Sequence, residues 1–177
     1  KLIIDARHLD VIIDRLCRQL IENHAPFQDT VLIGLQPRGR QLALAIHSRL
    51  RKMIRKDIPL GLLDTTFHRD DFRRRDTPAK ASETRIDFTV ENKRVVLIDD
   101  VLYTGRTVRA ALDALLTFGR PARVELLVLI DRAYSRDLPI AADYIGKTVN
   151  TLTSQRVLVE LAEENRAQNR IWLTHHT

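Results

Sequence analysis

The first half of the chain alternates between segments with helical periodicity and short apolar runs. Residues 9–22 place apolar side chains three and four positions apart, with Asp10, Arg15 and Arg18 on the opposite face, which predicts an amphipathic helix. Residues 30–35 are an apolar run that ends in a turn, so we predict a buried strand there. A second helix is predicted over 41–56 and a second strand over 59–63.

The second half of the chain continues this alternation. Residues 95–98 are wholly apolar and precede Asp99 and Asp100, which predicts a strand that ends in two carboxylates. A helix is predicted over 107–118, with Gly119 placed to end it. Further strands are predicted at 124–130, 142–145 and 155–161. Continuous apolar strands between helices favour a mostly parallel sheet flanked by helices, so we predict an α/β fold in one domain, 1–177.

Residues 65–85 fit neither pattern. The stretch is polar, contains five arginines and a proline, and is long for a loop inside a small domain. Loops of this length are usually either functional or disordered. We favour a mobile, functional loop, and disorder is the alternative.

The charge of the chain adds one indication about its partners. There are 29 Lys and Arg against 23 Asp and Glu, a net charge of +6, and 23 of the 29 basic residues are arginine. The planar guanidinium binds phosphate and carboxylate in a bidentate manner, so this excess indicates phosphate-bearing partners. A codon bias toward high GC content explains the excess equally well. The 44% of hydrophobic residues is enough for a sizeable core.

Several functional classes are excluded by what the sequence lacks. Its single cysteine, Cys17, rules out an intramolecular disulfide and a multi-cysteine zinc site. The histidines lack metal-ligand spacing, so we predict no metal site made by the protein alone. No apolar run approaches the roughly 20 residues of a membrane span, and the early acid Asp5 does not suit a signal peptide. We therefore expect a cytoplasmic protein without membrane contacts.

The strongest chemical signal lies between a predicted strand end and a helix start, in the segment Asp99-Asp100-Val101-Leu102-Tyr103-Thr104-Gly105-Arg106-Thr107. Residues 104–107 combine two hydroxyls, a glycine and free backbone N–H groups at a helix N-terminus, which suits a phosphate monoester. The two carboxylates are poor neighbours for a phosphate, so we expect them to accept hydrogen bonds from ribose hydroxyls. Ligands of parallel sheets bind beyond the carboxyl ends of the strands, where Arg38-Gly39 and Asp131-Arg132 are also expected. The segment therefore predicts a ribose 5-phosphate site.

Other phosphate-binding motifs do not fit this segment. A Walker P-loop needs an upstream glycine and a lysine where Arg106 stands. A dinucleotide fingerprint needs three spaced glycines, and this segment has one. A phosphatase of the Asp-x-Asp type would separate its two acids by one residue. A simple capped helix accounts for one aspartate and one threonine, but not for the whole segment.

Two levels of resemblance follow from these residues. Val95 to Thr107, Val-Val-Leu-Ile-Asp-Asp-Val-Leu-Tyr-Thr-Gly-Arg-Thr, resembles the phosphoribosyl pyrophosphate (PRPP) motif of type I phosphoribosyltransferases. Extended to Arg123, the run closely resembles the PyrR family, bifunctional pyrimidine operon regulators with uracil phosphoribosyltransferase activity. The other matching segments are Arg69-Asp70-Asp71, Asp131-Arg132, Leu138-Pro139-Ile140 and Ala142 to Lys147. The resemblance implies a type I phosphoribosyltransferase fold, with a small hood and a flexible loop beside a mostly parallel central sheet.

The resemblance also implies residue roles. Asp99, Asp100 and Arg132 would be catalytic, with Arg132 at the edge of a base held under a hood at 131–140. Residues 104–107 would hold the 5-phosphate, and Arg69 and Arg73 would reach the pyrophosphate from the flexible loop at 65–85. The complete set expected to bind substrate is Arg38, Gly39, Arg69, Asp99, Asp100, Val101, Leu102, Tyr103, Thr104, Gly105, Arg106, Thr107, Arg132 and Val157.

The same resemblance names the expected partners. They are PRPP, uracil, UMP and pyrophosphate, with Mg²⁺ bound mainly through PRPP, in a homodimer or homotetramer. The messenger RNA leader of a pyrimidine operon would be a further partner, bound under the control of UMP. A weakly catalytic or non-catalytic nucleotide-sensing regulator is an alternative to the enzyme, as is a phosphoribosyltransferase for another base.

Two departures from the family pattern bear on these expectations. Ala133 stands where the family usually has glycine, in a segment one residue longer, which affects the choice of base. On the first helix, Asp14 places a negative charge where RNA would approach, which weakens an RNA role. The candidate RNA-binding residues are Arg15, Arg18, Arg136 and Lys147, together with Arg49, Lys52, Arg55 and Lys56 of the second helix.

Overall fold

Strands and helices alternate along the chain, which the structure, a computed structural model, describes for residues 1–70, 81–152, 154–163 and 165–175. The strands are β1 (Leu2–Ile4), β2 (Thr30–Gln36), β3 (Leu60–Asp64), β4 (Arg94–Leu102), β5 (Arg123–Ala133), β6 (Tyr144–Asn150), β7 (Gln155–Glu160) and β8 (Arg170–His175). The α-helices are α1 (Ala6–His24), α2 (Gly39–Ile54) and α3 (Arg106–Leu115), and 3-10 turns occupy Thr66–His68, Leu116–Phe118 and Arg166–Gln168. Among the described residues, no helix combines the length and the apolar character needed to cross a membrane.

A five-stranded sheet forms the centre of the protein, in the order β3-β2-β4-β5-β6. Every pairing in it is parallel, so the carboxyl ends of its strands share one edge. The α/β class and the parallel sheet predicted from the sequence are confirmed.

Helices cover both faces of this sheet, because its central strands are apolar on both sides. On β2 and β4, Leu32 and Val96 point to the face covered by α1 and α2, while Ile33 and Leu97 point to the face covered by α3. These side chains are fully buried. Continuous apolar runs without alternation are the pattern expected of strands buried on two faces.

A second, antiparallel sheet in the order β1-β8-β7 was only partly predicted. Its β7 matches the strand expected at 155–161, whereas β1 and β8 were not assigned as strands from the sequence. Ile4, Val157 and Ile171 anchor this sheet in the core beside α1 and α2. This sheet forms a small layer separate from the central sheet. The segment 131–140, expected to be the hood, comprises the end of β5 and a loop held against Thr104 by backbone hydrogen bonds.

Candidate active site

β4 extends beyond its neighbour β2 at the carboxyl edge of the sheet, and we refer to the step between them as the crevice. Pairing between β2 and β4 ends at Gly34 and Ile98, whereas pairing between β4 and β5 continues to Leu102 and Asp131. Asp99 and Asp100 were expected to follow the strand, but they lie within it. Continued pairing with β5 extends the strand past these polar residues, while the chain after β2 has already turned away into α2.

The two aspartates form a buried acidic pair, each only 6% exposed. The Asp100 amide donates to Oδ1 of Asp99 at 2.9 Å, and the Val101 amide donates to Oδ1 of Asp100 at 2.7 Å. Burial, and then the charge of Asp100, raise the pKa of Asp99 well above its usual range. Burial also raises the pKa of Asp100, although the positive charge of Arg38 opposes this. The site therefore favours a cation or hydroxyl donors beside these carboxylates.

Gly39, the first residue of α2, allows the helix to approach this acidic pair. An added Cβ at this position would lie 3.0 Å from Cα of Asp99 and 3.2 Å from its Oδ1, and still closer to the carbonyl oxygen of Ile98. Any side chain would therefore push the N-terminus of α2 away from β4. The neighbouring Arg38 is exposed, and its positive charge partly offsets the rise in the pKa of both aspartates. The expected Arg38-Gly39 loop is thus next to the aspartates.

Residues 104–107 form the start of α3, as the sequence indicates. Gly105 has φ of +92°, a left-handed conformation that glycine adopts without strain, and it precedes the first residue of the helix. The carbonyl oxygen of Thr104 accepts hydrogen bonds from the amides of Asp137 and Leu138, at 3.0 and 3.2 Å. Residues 104–107 are therefore supported by hydrogen bonds from the loop that follows β5. The first amides of a helix have no partner from a preceding turn, so α3 offers N–H groups here. The amide of Arg106 makes one long hydrogen bond, of 3.4 Å, to Oγ1 of Thr104.

The first residues of the 65–85 loop dock onto residues 104–107. Nη1 of Arg69 donates to Oγ1 of Thr107 at 3.0 Å. The guanidinium of Arg106 lies between the carboxylates of Asp70 and Asp137, at 2.6 and 3.2 Å. Its hydrogen bond to Asp137, and then the charge of Asp70, raise the pKa of Arg106. Residues 71–80 of the expected loop, including Arg73, lie outside the described residues.

Arg132 lies in β5 at the rim of the crevice and is held in one orientation. Its guanidinium stacks 3.8 Å from the ring centroid of Tyr103. It also donates to Oγ1 of Thr151 and to the carbonyl oxygen of Gln155, both at 2.9 Å. Burial lowers the pKa of Arg132, and Tyr103 opposes this shift. Arg132 therefore connects β5 to the turn before β7.

Three members of the expected set lie further into the fold. Val101 and Leu102 belong to β4, and Leu102 is buried in the core on the α3 side. Val157 lies on β7, pairs with Leu173 and is buried in the core on the α1 side. Gln155, the hydrogen-bond partner of Arg132, precedes Val157 by two residues. Of these three residues, only the half-buried Val101 is partly accessible.

Asp64, at the end of β3, is a candidate site residue that the sequence analysis did not single out. Its carboxylate accepts hydrogen bonds from the amide of Thr66 at 2.9 Å and from the amide of Ser82 at 2.6 Å. It therefore ties together both described ends of the 65–85 loop. The signal was available, because Asp64 ends a predicted strand at the edge where the other polar strand ends were sought.

The expected RNA-binding residues do not form one free surface. Arg15, on α1, donates to the carbonyl oxygens of Ile145 and Gly146 on β6, which brings it close to Lys147. Arg18 pairs with Asp14 at 2.9 Å on the same helix.

Arg136, another candidate RNA-binding residue, is engaged by groups of the protein. Its guanidinium donates to the carbonyl oxygens of Tyr103, Arg132 and Ile140 and pairs with Asp131. The side chain is 22% exposed, and its hydrogen bonds hold together the loop that follows β5. Its hydrogen-bonding capacity is therefore engaged within the protein, and the sequence could not reveal this because the partners are mostly backbone groups.

Several known proteins are similar to this chain. A family model for the phosphoribosyl transferase domain matches residues 3–164. The bifunctional protein PyrR of Actinobacillus pleuropneumoniae (serotype 5b) is 46% identical over 161 residues, covering 90% of this chain and 88% of the relative. The protein of the same name from Roseiflexus sp. is 42% identical over 177 residues, covering 100% and 96%.

Solved structures give a similarity of fold. The hypoxanthine phosphoribosyltransferase of Trypanosoma cruzi has a TM-score of 0.71 at 14% identity, covering 99% of this chain and 96% of its own. The Staphylococcus aureus hypoxanthine phosphoribosyltransferase has a TM-score of 0.68 at 20% identity, covering 97% and 90%. At these identities the similarity shows the fold alone.

Proposed function

Since the chain belongs to the phosphoribosyltransferase family and, within it, to the PyrR proteins, we propose that it transfers a phosphoribosyl group from PRPP to uracil. The products are UMP and pyrophosphate. In this reaction the bond between the sugar carbon and the pyrophosphate oxygen breaks. A bond to a uracil ring nitrogen forms, and that nitrogen loses its proton.

The observation that carries the proposal is the meeting of three elements at one edge of the sheet. Gly39 brings the start of α2 against Asp99, and residues 104–107 open α3 a few positions further along the same strand. A buried acidic pair and a helix N-terminus thus flank one crevice. The aspartates supply acceptors for the two ribose hydroxyls, and the amides and hydroxyls of 104–107 supply donors for the 5-phosphate.

The proposed roles follow from the charge that develops during transfer. As pyrophosphate leaves, positive charge grows on the sugar ring, and the carboxylates of Asp99 and Asp100 stabilise it. Arg38 and Arg69 neutralise the leaving pyrophosphate. Arg132, oriented by Tyr103 and the turn before β7, faces the base. Closure of the 65–85 loop, which begins against residues 104–107, excludes water.

The acidic pair also fits the magnesium that the family uses with PRPP. Mg²⁺ in proteins is usually held by one or two carboxylates together with substrate phosphates, and Asp99 and Asp100 provide two adjacent carboxylates. Among the described residues there is no cluster of three or more ligand side chains that could hold a metal ion. Mg²⁺ bound with PRPP would stabilise negative charge on the leaving group, and it would favour the ionised form of the two aspartates.

The experiment that tests this proposal is a comparison of bases. The purified protein is incubated with PRPP, Mg²⁺ and either uracil, hypoxanthine or orotate, and the nucleotide products are separated by chromatography. We expect UMP from uracil and no product from the other two bases. Product from hypoxanthine or orotate, with none from uracil, would reject uracil as the substrate and favour a phosphoribosyltransferase for another base.

A second function, UMP-dependent binding of a pyrimidine operon messenger RNA leader, is favoured by the relatives named bifunctional. Filter binding of such a leader over a salt series, with and without UMP, tests it. Retention that ignores both UMP and RNA sequence would contradict regulation. A homodimeric or homotetrameric assembly and a cytoplasmic location stay predictions.

A further inference from the structure

The start and the end of the 65–85 loop are joined by one side chain, that of Asp64 at the end of β3. Its Oδ1 accepts hydrogen bonds from the amide and the hydroxyl of Thr66, at 2.9 and 2.6 Å. Its Oδ2 accepts a hydrogen bond at 2.6 Å from the amide of Ser82, which lies 18 residues further along the chain. A single half-buried carboxylate therefore holds together two segments that are distant in sequence.

The end of the loop, residues 82–85, is also fixed to the central sheet by other groups. The amides of Leu62 and Arg85 each donate to the carbonyl oxygen of the other residue, both at 2.8 Å. The side chain of Gln36, the last residue of β2, donates to the carbonyl oxygen of Glu83. The end of the loop therefore has a fixed position beside β2 and β3, independent of the carboxylate of Asp64.

The start of the loop leads from β3 directly to Arg69. Thr66–His68 form a 3-10 turn, and Arg69 follows it. Nη1 of Arg69 donates to Oγ1 of Thr107 in the first turn of α3, at 3.0 Å. Because the carboxylate of Asp64 holds the first residue of this short turn, it sets the direction in which the turn leaves β3. It thereby sets the place that Arg69 reaches.

The hydrogen bonds of Asp64 require a carboxylate, because all three of the partner groups are donors. An ionised carboxylate offers two acceptor oxygens, whereas the amide of asparagine offers one acceptor oxygen and an NH₂ donor. An asparagine at this position could accept from Thr66 or from Ser82, but its NH₂ group would then face the other donor. Asparagine would therefore keep one of the two connections and lose the other.

We propose that Asp64 is a positioning residue for Arg69, which it places beside the leaving pyrophosphate by tying the start of the loop to its fixed end. The proposal rests on the phosphoribosyl transfer proposed above, and it adds a residue that does not itself touch the substrate. Displacement of Arg69 weakens the binding of PRPP and slows transfer, since Arg69 neutralises charge on the leaving group. UMP has no pyrophosphate, so its binding does not depend on Asp64.

The test compares PRPP binding, UMP binding and kcat/KM for PRPP. Both affinities are measured by calorimetry with Mg²⁺ and without a base, in the wild type, Asp64→Ala, Asp64→Asn, Arg69→Ala and the double variant Asp64→Ala/Arg69→Ala. Glu83→Gln is the matched control, because it also converts a carboxylate of this region to an amide. The carboxylate of Glu83 is 73% exposed, and among the described residues it bonds to Arg85 alone. Urea midpoints are recorded for every variant.

We expect Asp64→Ala to lower kcat/KM for PRPP by about 100-fold, the cost of a misplacement of about 1 Å. Asp64→Asn should lower it by about 10-fold, the equivalent of one lost hydrogen bond. The affinity for UMP should stay within about threefold of the wild type in both variants, since UMP lies apart from the perturbed contact. Glu83→Gln should stay within about threefold in every assay, as expected for an exposed ion pair.

The double variant tests whether Asp64 acts through Arg69. Adding Asp64→Ala to Arg69→Ala should lower kcat/KM by less than about threefold, because two residues that act through one contact are not additive. Additive losses would show that Asp64 does not position Arg69. Equal losses of affinity for PRPP and UMP would show that Asp64 supports the whole site, and PRPP binding at the wild-type level in Asp64→Asn and Asp64→Ala would remove its role.

The same measurements separate this proposal from the proposed function. If the wild type binds PRPP but makes no UMP from uracil, the assignment of uracil fails, and the PRPP affinities alone decide the role of Asp64. A wild-type protein that binds no PRPP would reject both proposals. If the urea midpoint shows that Asp64→Ala is unfolded, the comparison of PRPP with UMP in Asp64→Asn decides.

Discussion

Replacing Gly39 by alanine should impair transfer much more than it impairs folding. The new Cβ would lie 3.0 Å from Cα of Asp99 and closer to the carbonyl oxygen of Ile98, whereas ordinary contacts begin at 3.4 Å. Both atoms are backbone and cannot rotate away, so the start of α2 must move. We estimate this displacement at about 1 Å, a misplacement that costs on the order of 100-fold in rate.

A matched control separates this local effect from a loss of stability. At Gly146 on β6, an added Cβ would lie 3.0 Å from Cγ2 of Ile12 and closer to the carbonyl oxygen of Leu129. This clash is of similar severity but lies on the far edge strand of the sheet. Both Gly39→Ala and Gly146→Ala should lower the free energy of unfolding by about 1–3 kcal/mol, as overpacking does.

The assay compares kcat/KM for PRPP and the urea midpoint in the wild type and both variants. We expect Gly39→Ala to lose about 100-fold in kcat/KM, equivalent to about 2.7 kcal/mol, while Gly146→Ala stays within about threefold of the wild type. Equal losses in the two variants would mean that kcat/KM reports general stability. An active Gly39→Ala would refute the close contact between α2 and Asp99 as a requirement for transfer.

Three further predictions concern buried charged or titratable groups. Asp99→Asn should abolish transfer. It should also raise the melting temperature at neutral pH, because the pKa of Asp99 is raised in the folded state and the fold loses stability as the pH rises through that pKa. A gain in melting temperature that persists below about pH 4 would contradict this pH dependence. Arg132→Lys keeps the charge but loses the hydrogen bonds to the 151–155 turn, so we expect a higher KM for uracil and about 2 kcal/mol less stability by urea unfolding. An unchanged KM would remove Arg132 from the base site. Burial lowers the pKa of His24 from 6.5, so the free energy of unfolding should fall as the pH drops below about 6.5. In urea titrations at several pH values, His24→Gln should weaken this pH dependence. If the variant shows the same pH dependence as the wild type, other groups are responsible for it.

The central sheet was predictable because its signals are local. Apolar runs such as residues 95–98 and 124–130 have few alternatives to a buried strand. Gly119 follows the 3-10 turn at Leu116–Phe118, which continues from α3. The lengths of the strands were harder to predict from the sequence. Asp99 and Asp100 looked like a strand end, yet β4 continues to Leu102 because β5 pairs with it that far. How far two strands pair depends on the tertiary structure, and the pattern of polar and apolar residues along the chain does not show it.

The candidate site shows the same division between local and tertiary information. Residues 104–107 could be singled out as a candidate because a phosphate site at a helix start is built within one segment. The brace from the 134–140 loop and the link from Asp64 to Ser82 were not, because they join distant segments through backbone amides. The partners of Arg136 were not predictable for the same reason, since they are mostly carbonyl oxygens, which leave no pattern in the sequence.

A crystal structure of the protein with UMP tests the central claim most directly, namely that one crevice holds a ribose between the acidic pair and the start of α3. We predict the 5-phosphate within hydrogen-bonding distance of the amides of residues 104–107, and the two ribose hydroxyls within hydrogen-bonding distance of Asp99 and Asp100. Arg132 should lie at the edge of the base. A phosphate bound elsewhere, or a ribose that does not contact the aspartates, would contradict the site described above.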